Sequence, residues 1–435
     1  MASLVAGNLV TNGLFAVSLI LFIGYIAELI FKRFKIPDVL FLIILGFILG
    51  PHVLDYIRPE QLTTIAPYFT IFTLIFLLFD GAYNIDLASF AKGLYSGIYV
   101  TWVNFLISAG SITLVLYLFR FEFIYALLLG FMLGGVSSAF VIPLLKELHK
   151  KGEIFSVMAL ESASTDVLSI LFAFTTLEII TLSSFSVKQV ASQLISFFAV
   201  AGFIGIISGI IWIFFVTHVL KHNKAYFISI AYLLLVYVIT EYMNGNGAIA
   251  GLFLGLILYN SKQLTMIFRG VVQKDKTKKS SKKEDLTTDY YGTSVTTPSE
   301  QMFYHQISFF LKTFFFVYIG ILINLNDKYA LFIGAILAVT VLAARNVSIL
   351  LIKGFKRNDR MLLSSMFARG LAAAALVQIV IQQGLPNADL IGNITYNVVA
   401  FTTILSSITL FMLRTQLKTW SQELDVNTIK TVKGK

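Results

Sequence analysis

Continuous apolar runs of about 20 residues dominate this chain, and that is the length a helix needs to cross the hydrocarbon core of a bilayer. In such a core every backbone N–H and C=O must be bonded within the protein, so only helices and closed barrels can cross it. Barrel strands alternate apolar and polar residues over short segments. The runs here do not alternate; Leu14 to Phe31 and Ile71 to Phe79 are examples. Only 13% of the residues are charged, against about 25% in soluble domains, too few to cover a water-facing surface. The sequence predicts an all-α integral membrane protein.

The breaks between runs are charged or rich in Gly, Pro and Asn, and they predict about thirteen transmembrane helices of the length needed to span. The expected spans are 12–31, 38–54, 63–83, 94–119, 123–145, 154–181, 190–217, 225–241, 247–260, 303–324, 330–352, 361–384 and 391–413. Basic clusters test this count. Lys32, Arg33 and Lys35 follow the first span, Lys92 the third, Lys146, Lys150 and Lys151 the fifth, and Lys221 and Lys224 the seventh. The Lys-rich 262–283 follows the ninth, Lys353, Lys356, Arg357 and Arg360 the eleventh, and Lys418 the last. Every cluster follows an odd-numbered span, whereas even breaks carry little more than Arg58 and Arg120. By the positive-inside rule the N-terminus is then outside and the C-terminus cytoplasmic. The same rule accounts for the net charge of +10 without nucleic acid as a partner. The first run lacks a basic segment before it, so no cleavable signal is expected.

A faint internal repeat is visible. LFLIILGFILGP (40–51) is echoed by AGLFLGLILYN (250–260), and FDGAYNIDL (79–87) by YIGILINLND (318–327). The paired spans run in opposite directions, the pattern of inverted-topology repeats around a midplane site in secondary transporters. The expected organisation is a first repeat over 1–185, a linker span over 186–222 and the start of the second repeat over 223–260. A mobile, polar cytoplasmic linker over 261–300, the rest of the second repeat over 301–416 and a cytoplasmic tail over 417–435 complete it. Gly202, Gly205 and Gly209 mark a close-packing face on the seventh span, toward a linker helix or a second copy. There is no cysteine, hence neither disulfide nor thiolate metal site. No P-loop, HExxH or GxSxG is present, so ATP hydrolysis, zinc and acyl chemistry have no motif.

Ionisable residues inside the membrane are functional candidates by default. Six stand well inside spans: Asp80, Glu161, Asp166, Lys312, Arg345 and Arg369. Three are acidic and three basic, which points to pairing; Lys312 is expected to neutralise Asp80 in a structural pair, the alternative being that it competes for Asp166. Glu161 and Asp166 in LESASTDVLSILF (160–172) are five residues, about 500° of helical rotation, apart and so face different partners. Ser162 and Thr165 add hydroxyls beside them. A carboxylate among neutral oxygens is what a hard monovalent cation requires. His149, His218 and His222 fall at cytoplasmic span ends, where they are interfacial residues or pH sensors.

Glu161-Ser162-x-x-Thr165-Asp166 resembles the E-S-x-x-N-D motif of the NhaP-like sodium/proton branch of the cation/proton antiporter superfamily. Met366 to Leu376, with Arg369-Gly370, resembles that branch's R-G-A-x-x-x-A-L helix, and Arg345 matches its basic residue one span earlier. Gly135-Val-Ser137-Ser138-Ala-Phe-Val-Ile-Pro143 resembles the unwound crossing helix of the Kef/NapA-like branch. Ile36-Pro37, Leu45-Gly46 and Leu49-Gly50-Pro51 match the second-span pattern. The resemblance implies two inverted repeats whose discontinuous crossing helices move against a dimerisation scaffold. It implies a homodimer in the cytoplasmic membrane that needs no cofactor and exchanges Na⁺ or Li⁺ for H⁺ in pH homeostasis. Asp166 would bind proton and cation in turn, Val136, Ser137 and Ser138 would complete the cation shell, and Glu161 would pair with Arg369. Thr165 and Ser137-Ser138 depart from the NhaP-like pattern. Since Thr165 cannot ionise, the exchange is expected to be electroneutral.

A potassium/proton antiporter of the same architecture is the nearest alternative. An intramembrane aspartyl protease built on Asp80 and Asp166 is disfavoured: that chemistry needs two carboxylates sharing a proton, and a Gly-x-Gly-Asp signature is absent. A passive channel would conduct without coupled proton movement.

Overall fold

A computed structural model describes residues 2–34, 38–62, 65–82, 87–147, 153–181, 187–219, 226–264, 298–352 and 354–433. Among the described residues helix is the only regular secondary structure and there is no strand, as a backbone confined to lipid requires. The helices of the first half are α1 (Ala2–Phe34), α2 (Asp38–Leu49), the short α3 (Pro59–Leu62), α4 (Ala66–Ala82), α5 (Leu87–Leu118), α6 (Phe123–Met132), α7 (Ser138–Glu147) and α8 (Glu153–Thr181). They are followed by α9 (Val187–His218), α10 (Tyr226–Tyr242), α11 (Gly247–Tyr259), α12 (Pro298–Leu322), α13 (Lys328–Leu351), α14 (Arg357–Ser365), α15 (Leu371–Gln382) and α16 (Ala388–Lys433).

Each expected span overlaps helix among the described residues, and six of the helices described are long and apolar enough to cross a bilayer by length and composition. The breaks use turn chemistry. Arg120, Asn244 and Asn387 take positive φ between spans. Asn246 caps α11 through Ile249 N at 2.9 Å, and Asp327 caps α13 through Ala330 N at 2.9 Å. Of the linker expected over 261–300, residues 265–297 lie outside the described residues, while 261–264 and 298–300 are helical. The expected tail is no separate element, since α16 continues to Lys433.

Two spans are interrupted. Between α6 and α7 the chain is non-helical over 133–137, as the Gly135–Pro143 motif implied. Between α14 and α15 it is non-helical over 366–370, inside the span expected over 361–384; the resemblance implied discontinuous crossing helices without placing this break. Non-helical backbone at membrane depth persists only where protein re-satisfies its polar groups. Here Thr402 Oγ1 accepts from Arg369 N at 3.1 Å, and Ser406 Oγ donates to Ser365 O at 2.5 Å. Both hydroxyls belong to α16.

The chain forms two compact units. One comprises Met1–Thr70, Tyr95–Thr181 and Lys312–Lys435; the other comprises Ile71–Leu94 and Leu182–Leu311. Neither is a consecutive half, because helices associate by complementary faces rather than by order. The faint repeat has a counterpart in packing. In the first unit α2 lies so close to α12 that a Cβ on Gly46 would come 2.7 Å from Val317 C. In the second, α11 meets α4 in the same way, with a Cβ on Gly255 falling 2.5 Å from Phe79 O. Each repeat's glycine-bearing helix thus packs on the other repeat's following span. Gly205 does the same for α9, where a Cβ would come 2.5 Å from Ala250 O of α11.

Candidate functional site

The site is built where the two breaks meet α8, within the first unit. Ser137 N donates to Ala368 O at 2.9 Å, so one break hydrogen-bonds the other. The approach is close: a Cβ on Gly370 would come 2.5 Å from Ser137 Cβ, and one on Gly135 would come 2.9 Å from Thr165 O of α8. Glycine at both positions is a steric requirement. Thr165 ties the first break to α8, its Oγ1 accepting from Val136 N at 3.0 Å and donating to Ser162 O at 3.2 Å. Arg369, 1% exposed, donates through Nη1 to Gly135 O and so braces the first break from the second.

The two acids of α8 have different partners, as their spacing predicts. Glu161 is 1% exposed and held by both arms of Arg345, which is also 1% exposed; the Nη2–Oε2 bond is 3.1 Å and Nη1 donates to Oε1. Arg345 Nε donates further to Leu363 O at 2.8 Å, linking α8, α13 and α14. This corrects the expected Glu161–Arg369 pair. Arg345 projects from a continuous helix and presents a planar fork to the carboxylate, whereas Arg369 lies in the break and is turned to Gly135. Arg369 remains within electrostatic reach of Glu161, Arg345 and Asp166.

Asp166 accepts from Ser138 Oγ at 2.6 Å. Ser138 is the first residue of α7, and the positive end of a helix dipole favours a carboxylate or another anion there. Among the described residues Asp166 therefore has a hydroxyl partner while Glu161 has a guanidinium. Of the expected cation-shell residues, Ser138 and Asp166 are in contact and Thr165 and Val136 are bonded to each other. Ser162 Oγ turns to its own helix at Ala159 O, 3.1 Å away. Ser137 Oγ is buried without a hydrogen-bond partner among the described residues.

Lys312 lies 2.5 Å from Asp38 Oδ2. Asp38 begins α2 and is 3% exposed, a buried acid that its position at a predicted span end concealed. Asp80, in the second unit, accepts from Ser308 Oγ at 2.7 Å and lies 3.4 Å from His305 Nδ1. His218 stacks on Phe214 of its own helix, with ring centroids 4.3 Å apart; His149 and His222 lie outside the described residues. Sequence reasoning missed Thr402 and Ser406. The signal was present as hydroxyls spaced seven, four and three residues apart along the apolar α16, at Thr395, Thr402, Ser406 and Thr409.

The sequence matches the family described as sodium/hydrogen exchanger, transmembrane, over residues 18–416. The fold is similar to that of the sodium proton antiporter MjNhaP1 from Methanocaldococcus jannaschii at pH 8, with a TM-score of 0.72 and 20% identity over 93% of this chain and 98% of that one. An electron-microscopy structure of the same antiporter gives a TM-score of 0.70 at 20% identity, over 93% and 97% of the two chains.

Proposed function

Because this chain belongs to the transmembrane sodium/hydrogen exchanger family, and is therefore a secondary antiporter rather than an enzyme, we propose that it exchanges Na⁺ or Li⁺ for H⁺ at Asp166. The observation that carries this reading is the contrast on α8. Glu161 is bonded to Arg345, while Asp166 accepts from Ser138, with Arg369 in electrostatic reach but turned to Gly135 O, and lies beside the crossing of two broken helices. Such a carboxylate can take a proton or a cation, and the two exclude each other. A cation displaces the proton on one side, the site is exposed to the other side, and a proton displaces the cation there. A gradient of either ion then drives the other.

Oxygen ligands for the ion come from Asp166 and Ser138, with Ser137 Oγ available at the crossing. Thr165 acts by holding Val136 in place. With Glu161 committed to Arg345, one exchangeable carboxylate supports a stoichiometry of one cation per proton. A homodimer in the cytoplasmic membrane, N-terminus outside, completes the reading. The test is a pH-dye assay in proteoliposomes with sodium, lithium and potassium offered in turn. Proton movement driven by sodium or lithium and lost in Asp166→Asn is the expected result. Movement driven by potassium alone would reassign the cargo, and unaltered exchange in Asp166→Asn would remove the site.

A further inference from the structure

The first unit contains an apolar chamber of about 490 Å³, away from the crossing, walled by α1, α4, α12 and the segment between α2 and α4. Its inner walls include Ala16 and Ile20 of α1, Ala66 of α4 and Ile321 of α12, all under 9% exposed. Val17 and Ile65, which also line it, are 41% and 63% exposed and form its mouth on a face that continues into exposed Leu14, Phe15 and Tyr68. In a membrane protein, an exposed apolar face of this kind is one that lipid covers. The polar lining side chains are Gln61, Tyr56 and Tyr318.

Water is a poor occupant. A space of this size would hold on the order of ten or more molecules, each needing two to four polar partners. Leaving it empty would forfeit the dispersion contacts of every wall atom. The volume lies within the roughly 300–1,000 Å³ range of small-molecule sites. The chamber also has an amphiphile's layout. Above the apolar walls runs a polar rim, where exposed Arg58 donates from Nε to Asp55 Oδ1 at 2.8 Å beside exposed Glu60 and Gln61. Phe15 meets Tyr56 edge-on at 6.1 Å, closing the rim with aromatic rings of the kind found at membrane interfaces.

We propose that this chamber is a binding site for one acyl chain of a bilayer phospholipid, entering between Val17 and Ile65 with its headgroup at the Asp55–Arg58 rim. Because the rim carries both charges, the site selects the chain and not the headgroup. One wall residue, Tyr318, lies beside Gln378 of α15, which donates to Tyr396 OH of α16. An occupying chain would touch Tyr318 of α12, the wall residue beside α15.

The test uses the full chain in liposomes of phosphatidylcholine or phosphatidylglycerol bearing a diazirine on one acyl chain, with the photoadducts mapped by mass spectrometry. Adducts should concentrate on 16–20, 62–69 and 314–321, equally for the two headgroups. Val17→Trp and Ile65→Trp, both at exposed positions, should each lower these adducts several-fold while leaving those on the exposed face of α9 around Phe214 unchanged. Adducts spread evenly over bilayer-facing helices and insensitive to both substitutions would overturn the proposal. So would labelling confined to one headgroup, or labelling obtained only with a free diazirine fatty acid. Size-exclusion profiles of the two variants matching the parent's exclude misfolding as the cause of lost labelling.

Discussion

Glu161 and Arg345 have no water to fall back on, so each is stable in the membrane only while the other is present. Removing one partner of a buried pair strands a charge, at about 3–5 kcal/mol. Glu161→Gln and Arg345→Gln should each lower unfolding stability in detergent by that order. The double substitution should cost clearly less than the two singles together, and strict additivity would count against the pair. Glu161→Gln combined with Arg369→Gln should show weaker coupling, because Arg369 is bonded to Gly135 O. Asp166 behaves differently in this reading. Asp166→Asn keeps an acceptor for Ser138 Oγ, so the protein should remain folded and lose less stability than Glu161→Gln, while cation-driven proton movement in proteoliposomes disappears. Retained transport would show that proton and cation compete elsewhere.

At the scale of the element, the crossing depends on two backbones approaching without side chains between them. Gly370→Ala places a methyl against Ser137, and overpacking of this kind costs about 1–3 kcal/mol. The expected outcome is slower exchange and a lower melting temperature. Adding Ser137→Gly, which removes the opposing Cβ, should recover stability. Recovery by Ser137→Ala to the same extent would mean the Oγ, not the Cβ, was the obstacle. Thr165→Val tests the other brace. It leaves Val136 N–H buried without its acceptor, worth about 1–3 kcal/mol. It should impair transport by displacing the first break, although in this reading Thr165 does not touch the ion.

At the scale of the whole molecule the question is how much charge one transport cycle moves. Glu161 and Arg345 cancel, and Lys312 is matched by Asp38. In the proposed reading Asp166 is neutral with a proton and the site equally neutral with a monovalent cation, so the two loaded states would carry the same charge. A membrane potential, worth about 2.3 kcal/mol per charge per 100 mV, then has nothing to act on. Exchange in proteoliposomes with the potential set by potassium and valinomycin should give a sodium gradient at steady state that is independent of the potential. A gradient that follows the potential would refute one-for-one exchange and point to a proton released from Lys312. Lys312→Gln would then abolish the voltage dependence.

The membrane class, the apolar helices and the candidacy of Asp166 are legible in the sequence because they rest on local properties. Run length reports bilayer thickness, charge reports the breaks, and a carboxylate in an apolar run reports its own desolvation. The break over 133–137 is legible too, since a Gly-Gly pair and Pro143 lie close together. The break over 366–370 is not. Its signal is Gly370 alone, and what holds it open is Thr402 and Ser406, more than 30 residues away on another helix. Charge pairing was likewise beyond local reading. Glu161 and Arg345 are 184 residues apart and Asp38 and Lys312 are 274 apart. The choice of Arg345 over Arg369 followed from which helix faces meet, because a buried ion pair needs its partner within about one hydrogen-bond length, and only the packed tertiary structure fixes distances that short.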